Sequence, residues 1–289
     1  MTGWIVYDSN QYQKNEWFAN KLLKYCKNFC NAKLIIVERL QFGIDEDGYY
    51  ICYDNEPLQK PDFVLMRSIF PLLSFFLEQL KIRVFNNYQT SKLCNDKRLT
   101  YLSVKKSQVP IMDTMFFNRD FFDVKNIQLY NIDYPIILKS ASGHGGTEVF
   151  LIKNTEYLQH IVSSLDKPDF LIQKIFYPFG KDLRVYVLGG KIIASVLRMS
   201  EGIKSNYSLG GKAHYYQLNS LEQKLVNDLL HKLHFCPDFI GIDFLYSNDR
   251  LVFNEIEDVV GTRMLYETTE IDAALLYTDY IRKIITMDS

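Results

Sequence analysis

Short β-branched and aromatic runs with a two-residue period take turns with amphipathic stretches of helical period along the first 90 or so residues, the pattern of an α/β layer domain. Trp4 to Asp8 reads as a strand, Gln13 to Asn28 as a helix and Lys33 to Glu38 as a second strand. Gly48 to Asp54 looks like a small excursion or hairpin, and Asp62 to Arg67 and Arg83 to Asn86 are strands bracketing a helix that begins near Pro71. The turn Asp8-Ser9-Asn10-Gln11 after the first strand has no glycine, so a glycine-rich dinucleotide loop is absent where it would have to stand.

From Asp96 the elements mix: a helix over Lys97 to Lys105, strands over Met112 to Phe117, Pro135 to Lys139 and Glu148 to Lys153, a helix over Glu156 to Leu165, and a strand over Phe170 to Ile175. Leu183 to Leu188 and Lys191 to Leu197 flank Gly189-Gly190, a hairpin signal because primed turns need positive φ. A polar loop from Met199 to His214 is followed by a helix with the capping box Ser220-x-x-Gln223. Two antiparallel strands, Asp238 to Tyr246 and Leu251 to Glu257, precede a terminal helix from Ile271 to Ile285.

Composition narrows the function. With 289 residues, 47% hydrophobic and 23% charged, the chain is globular and long enough for two domains or one body with lobes. Lys plus Arg (33) balances Asp plus Glu (34), so no global field draws nucleic acid or an anionic membrane, and an anionic ligand must meet a local cluster. The five cysteines are scattered, without metal spacing, and read as reduced thiols of a cytoplasmic protein. No signal-peptide pattern opens the sequence, and no apolar run approaches the ~18 residues of a membrane span. The oligomeric state stays open, a homo-oligomer included.

The chemistry starts with acids. Glu255 and Glu257, two apart on one strand, point to one face with their Cα atoms about 7 Å apart. Asp243 interrupts the neighbouring strand, roughly opposite them. Three inward carboxylates repel unless cations bind them, and rigid oxygen ligands suit Mg²⁺; a solvent-facing edge hairpin is the alternative. Lys139 ends a strand just before Ser142-Gly143-His144-Gly145-Gly146-Thr147, a loop whose free amides can close over a polyphosphate, although no P-loop Lys-Ser/Thr follows. Lys97, Arg184, Arg198 and Lys204 add positive charge at the edges of the same elements.

Asp96-Lys97, Lys139 with its glycine loop, Gln173-Lys174-Ile175, Asp182-x-Arg184, Ser205-Asn206 with Gly210-Gly211, Gly241-x-Asp243 and Glu255-x-Glu257 occur in an order that resembles the ATP-grasp superfamily, and within it the RimK-like carboxylate–amine ligases. The resemblance implies an N-terminal Rossmann-like α/β domain (1–90), a central lid lobe (91–166) and a C-terminal lobe with the metal site (167–289), the two lobes clasping ATP. It implies phosphate contacts from Lys97 and Lys139, a lid at Gly143, His144, Gly145 and Gly146, and adenine contacts at Gln173, Lys174 and Ile175. Asp182 would take the ribose, while Arg184 and Lys204-Ser205-Asn206 would meet the triphosphate, with Arg184, Arg198 and Asn206 in catalytic positions. Asp243, Glu255 and Glu257 would hold two Mg²⁺ ions, Mn²⁺ being the alternative. Arg67, Arg198, Gly210, Gly211 and Arg263 are the candidates for the substrates, a carboxylate and an amine borne by an amino acid, peptide or small metabolite.

The implied reaction forms an amide through an acyl phosphate, releasing ADP and phosphate. A small-molecule kinase and a non-catalytic nucleotide-binding regulator are the rival readings on the same scaffold. The chain departs from the family pattern at Glu257, where Asn is usual, and at Asp258-Val259-Val260-Gly261, where Ser-Pro-Gly commonly follows. It departs again at His144 and Glu148, where serine and glycine are frequent.

Overall fold

The computed structural model describes residues 1–130, 133–146, 148–176, 180–199, 212–233, 235–247 and 250–287. β1 (Thr2–Tyr7) buries five of its six residues. Asp8, read from sequence as the end of that strand, is instead the N-cap of the next helix: its carboxylate accepts the Gln11 amide at 2.9 Å, and α1 (Ser9–Cys26) starts four residues before the expected Gln13. There follow β2 (Asn31–Ile36), β3 (Leu40–Asp45), β4 (Gly48–Tyr53), β5 (Glu56–Pro57), β6 (Phe63–Met66), α2 (Pro71–Gln79), β7 (Arg83–Phe85) and α3 (Tyr88–Cys94). Strands β2-β1-β6-β7 form a parallel sheet, and β3-β4-β5 a small antiparallel one in which β4 alone was anticipated. Alternate residues of the parallel strands enter two different cores, Ile5, Phe63, Leu65 and Phe85 one and Trp4, Val6, Val64 and Val84 the other. Both faces are therefore covered, as a parallel sheet requires.

The chain continues through α4 (Lys97–Val104), β8 (Thr114–Asn118), β9 (Ile136–Ser140), β10 (Val149–Ile152), α5 (Thr155–Ser164) and β11 (Asp169–Lys174). These strands form an antiparallel sheet in the order β10-β9-β11-β8, with Leu138, Ile152, Phe170 and Ile172 packed against Leu158 and Ile161 of α5.

A larger antiparallel sheet, β14-β13-β12-β15-β16, follows, built from β12 (Lys181–Leu188), β13 (Lys191–Met199), β14 (Lys212–Tyr215), β15 (Phe239–Ser247) and β16 (Arg250–Glu257). Gly189 and Gly190 turn β12 into β13 with φ of 54° and 75°, the positive values expected of a primed hairpin. The expected polar loop reaching His214 ends instead in β14, paired with β13. The helix after it, α6 (Ser220–Lys232), has its capping box one residue earlier than read: Asn219 and Glu222 make the reciprocal bonds, in place of Ser220 and Gln223. α7 (Arg263–Thr268), unanticipated, and α8 (Ala273–Met287) complete the described elements.

Leu183, Val185, Ile240, Ile242 and Phe244 on one face of the large sheet bury against Tyr101 and Val104 of α4 and Val226 and Leu229 of α6. On the opposite face Tyr186, Val196 and Phe239 pack with Phe18 of α1 and Tyr277 and Ile281 of α8, which ties this sheet to the N-terminal one. Asn86, buried at the end of β7, staples the two together: its amide nitrogen donates to the carbonyls of Phe239 (2.7 Å) and Asp258 (2.8 Å), and its oxygen accepts the amides of Asp238 (2.6 Å) and Phe239 (3.0 Å). Asn86→Ala orphans four buried backbone contacts, so we expect a loss of about 4 kcal/mol of unfolding free energy in urea titrations. A loss of under about 1 kcal/mol would contradict the staple.

Candidate active site

Strand register assembles the charged residues. Arg198 pairs across β13/β12 with Asp182, Arg184 across β12/β15 with Asp243, and Asp243 across β15/β16 with Glu255. Directly paired residues share a face, so these residues and Glu257, opposite Gly241, lie on the face that carries Tyr186 and Phe239 further along. That face is thus apolar at one end and charged at the other. A Cβ on Gly241 would come within 2.5 Å of Val260 Cγ2, so glycine is what lets the segment after β16 close onto the sheet.

The charges are buried and interlocked. Arg184 donates from Nε and Nη2 to the two oxygens of Asp243, both at 2.7 Å, and its Nη2 also lies 2.7 Å from Glu257 Oε1. Arg198 forks Asp182 at 2.5 Å on both oxygens and reaches Asp243 Oδ2 at 2.7 Å. Burial by itself would raise the Asp243 pKa, but the guanidinium of Arg184, then that of Arg198, outweighs it and holds the carboxyl at about 2. Burial pushes Glu257 up, against the pull of Arg184 and with the help of Asp243 and Glu255. One oxygen each from Asp243, Glu255 and Glu257 lies within 4.8 Å of the others, a hard-oxygen donor set of the kind Mg²⁺ takes.

Two lysines face this set. Lys97, buried at the start of α4, donates to the Gly143 carbonyl and stands 3.8 Å from Glu255 Oε2. Lys139 on β9 donates to Asn254 Oδ1 at 2.8 Å. Asn254 is the unpaired residue of a bulge, since Asp243 pairs with Glu255 but Phe244 with Phe253. Sequence reasoning passed over Asn254, a polar residue in an otherwise apolar half-strand; that oddity was the signal. Burial lowers Lys139 to about 8, Glu255 opposing and Lys97 adding to the shift. Gly145 and Gly146 adopt positive φ (63° and 72°), and His144, where the loop lines the cleft, is pushed down to about 4 by desolvation and then by Lys97.

A cavity of about 610 Å³ opens over these groups. Among the sequence candidates, Arg67, Lys97, His144, Gly145, Arg184, Arg198, Glu255, Glu257 and Arg263 line it, joined by residues not foreseen, such as Tyr7 and Asn95. Asp182 and Asp243 lie buried beneath the arginines.

A sequence profile described as the RimK-like ATP-grasp domain matches residues 94–281. The chain belongs to that family. It is an ATP-grasp ligase, of the class that forms C–N bonds. It is 31% identical over 241 residues to human N-acetylaspartylglutamate synthase A, covering 78% of this chain and 61% of that one. To a probable alpha-L-glutamate ligase of Haemophilus ducreyi it is 26% identical over 215 residues, 73% and 69% of the two chains. The ATP-grasp ligase PsnB, solved with a phosphomimetic variant of its minimal precursor, Mg and ADP, shares the fold at a TM-score of 0.70 and 12% identity over 98% of both chains.

In this ATP-grasp chain some candidates stand apart from the cavity. The Gln173 side chain is buried against Thr114 Oγ1 at 2.8 Å and its strand is paired on both sides, so that side chain braces β11. Lys174 is exposed, 3.4 Å from Asp113, and Ile175 follows just beyond β11. Lys204, Ser205, Asn206, Gly210 and Gly211 lie outside the described residues. No described helix is long and apolar enough to cross a membrane.

Removing a charge from this network has unequal effects. Asp243→Asn strips two buried guanidinia of their shared partner, so we expect about 3 kcal/mol or more of lost stability. Glu255→Gln alters a side chain 28% exposed whose described ion pair is the 3.8 Å contact with Lys97, and should stay within about 1 kcal/mol of the parent. Denaturant midpoints check both. A Lys139 titrating near 8 also predicts that ADP affinity, followed by calorimetry, weakens as pH rises through about 8, and that Lys139→Arg removes the inflection.

Proposed function

We propose that the protein joins a carboxylic acid to an amine at the expense of ATP, through an acyl phosphate, releasing ADP and phosphate. The observation that carries this reading is the placement of three strand-borne carboxylates beside Lys97 and Lys139, with Glu255, Glu257, Lys97 and the loop residues His144 and Gly145 lining one cavity. Asp182, Asp243, Glu255 and Glu257 stand there beside Lys97, Lys139, Arg184 and Arg198, while Lys14, Arg67 and Arg263 add positive charge elsewhere along the cavity. The oxygen donors of Asp243, Glu255 and Glu257 fit Mg²⁺, which when bound would neutralise the phosphates and polarise the transferring group.

The remaining roles belong to the chain. Lys97 and Lys139 draw the phosphates to the mouth of the loop at 143–146, whose closure keeps water from a fragile acyl phosphate. Backbone groups of Lys174 and Ile175, at the end of β11, are the adenine contacts. Asp182 is the candidate for the ribose, which would share its oxygens with Arg198. Arg184 and Arg198, held in the floor, turn guanidinium donors toward the transferring phosphoryl group and the substrate carboxylate. A carboxylate oxygen attacks the γ-phosphorus and ADP leaves; the amine then attacks the acyl carbon and phosphate leaves.

Both named relatives act in glutamate chemistry by their names, so glutamate is the first amine to test. Incubation with ATP, Mg²⁺ and a panel of acids, with hydroxylamine as nucleophile, should give hydroxamate and ADP in equal amounts. Glu255→Gln should lower kcat by about a thousandfold while keeping the circular dichroism of the parent. AMP and pyrophosphate as products would exclude the acyl-phosphate route.

A further inference from the structure

Three arginines are buried at the cleft: Arg67 (4% exposed), Arg184 (5%) and Arg198 (3%). A buried guanidinium is costly unless a carboxylate answers it. Asp243 and Glu257 answer Arg184, and Asp182 and Asp243 answer Arg198. Arg67 makes no ion pair with a carboxylate of the described residues: its Nη2 donates to the Val260 carbonyl at 2.8 Å, and its buried Nε has no hydrogen-bond partner. The Tyr7 hydroxyl, buried on the adjoining strand, faces the Arg67 guanidinium, whose charge and hydrogen bonding oppose the rise that burial imposes on that phenol, and it has no other described partner.

Nearby carboxylates are hydrogen-bonded elsewhere, although the charge of Arg67 still reaches Asp258 and opposes the rise that burial imposes there. Asp8 accepts the Gln11 amide at 2.9 Å and the Ser68 hydroxyl at 2.8 Å, and Asp258 accepts Asn95 Nδ2 at 2.9 Å. Lys14 and Arg263 line the same end of the cavity and add positive charge. This end is the carboxyl edge of parallel strands β1 and β6, where open α/β sheets take their ligands. It is also close to the proposed chemistry, because Val260 lies three residues after Glu257, a stretch of chain that spans at most about 11 Å.

We infer that Arg67 and Tyr7 form a clamp for a carboxylate that is not phosphorylated, a group carried at a distance of a few carbon atoms from the reacting centre. The inference rests on the ligase reading above and names what one of its substrates must carry. The same chemistry has two sources, a second carboxylate on the activated acid or the carboxylate of an amino-acid amine. In either case the clamp orients the substrate, and Arg67 and Tyr7 are specificity residues.

The full chain with ATP and Mg²⁺ separates these cases. In one arm hydroxylamine is the nucleophile and succinate and glutarate are compared with butyrate and pentanoate; in the other, the best acid is fixed and glutamate and alanine are compared with ethylamine. We expect at least a tenfold preference in kcat/KM for the carboxylate-bearing partner in one arm, which identifies the source. Arg67→Lys and Tyr7→Phe should each erase most of it, with ADP affinity within twofold of the parent. Tyr7→Phe removes a hydroxyl whose described neighbour is Arg67 and leaves the buried ring in place, so it should keep the fold, checked by its melting temperature, and remain readable even if Arg67→Lys folds poorly. No preference in either arm, a preference that survives both substitutions, or an equal weakening of ADP overturns the clamp. A chain that forms no hydroxamate with any acid fails at the ligase reading instead.

Discussion

Asp243 is the residue around which the site is organised. It is 1% exposed and accepts three charge-assisted hydrogen bonds from two guanidinia, each of which also holds another carboxylate. Charges so far from water persist only as a closed set, since any one left alone would face the full desolvation penalty. The closure is geometric: a hydrogen-bonded sheet fixes Cβ positions to a few ångströms, and guanidinium forks match carboxylates only when the strands are in register. A one-residue slip of β12 against β15 would turn Arg184 toward the apolar α4–α6 core.

The rest of the fold serves that register. The large sheet has one mainly apolar face against α4 and α6, and a second divided between an apolar half under α8 and the charged half that floors the cavity. Asn86 and the Arg67–Val260 bond hold the parallel sheet against the segment that leaves β16, so the cavity has one wall from each. The bulge at Asn254 shifts the strand just before the glutamates and turns an amide toward Lys139 on the neighbouring sheet. Each of these contacts joins residues more than a hundred positions apart in the chain.

The departures from the family pattern acquire physical meaning in this setting. Glu257, where asparagine is usual, gives Arg184 a second carboxylate at 2.7 Å, which a neutral amide could not match in charge. Val260, in the stretch where Ser-Pro-Gly is common, packs against Gly241 with its side chain and receives Arg67 on its carbonyl. His144 is held neutral at the loop tip by its surroundings and by Lys97, a cation that a serine would not sense in the same way.

Local chemistry made much of this protein legible in its sequence. Two-residue periodicity marked most strands, Gly189-Gly190 marked its turn by the positive φ it permits, and the spacing of Glu255 and Glu257 put both on one face because a strand's period is two. Element edges were less legible. Asp8 and Asn219 each cap a helix that the sequence started later, since a polar residue at a boundary suits a strand end, a turn or a cap equally well. The order of the motifs carried the resemblance to the family and named the kinds of residue at the site. Tertiary structure alone decided which arginines are answered by acids and which is not, that Gln173 braces a strand, and that Tyr7 and Asn254 belong to the site. Those facts depend on register, burial and the meeting of distant strands, none of which is a property of a residue and its near neighbours.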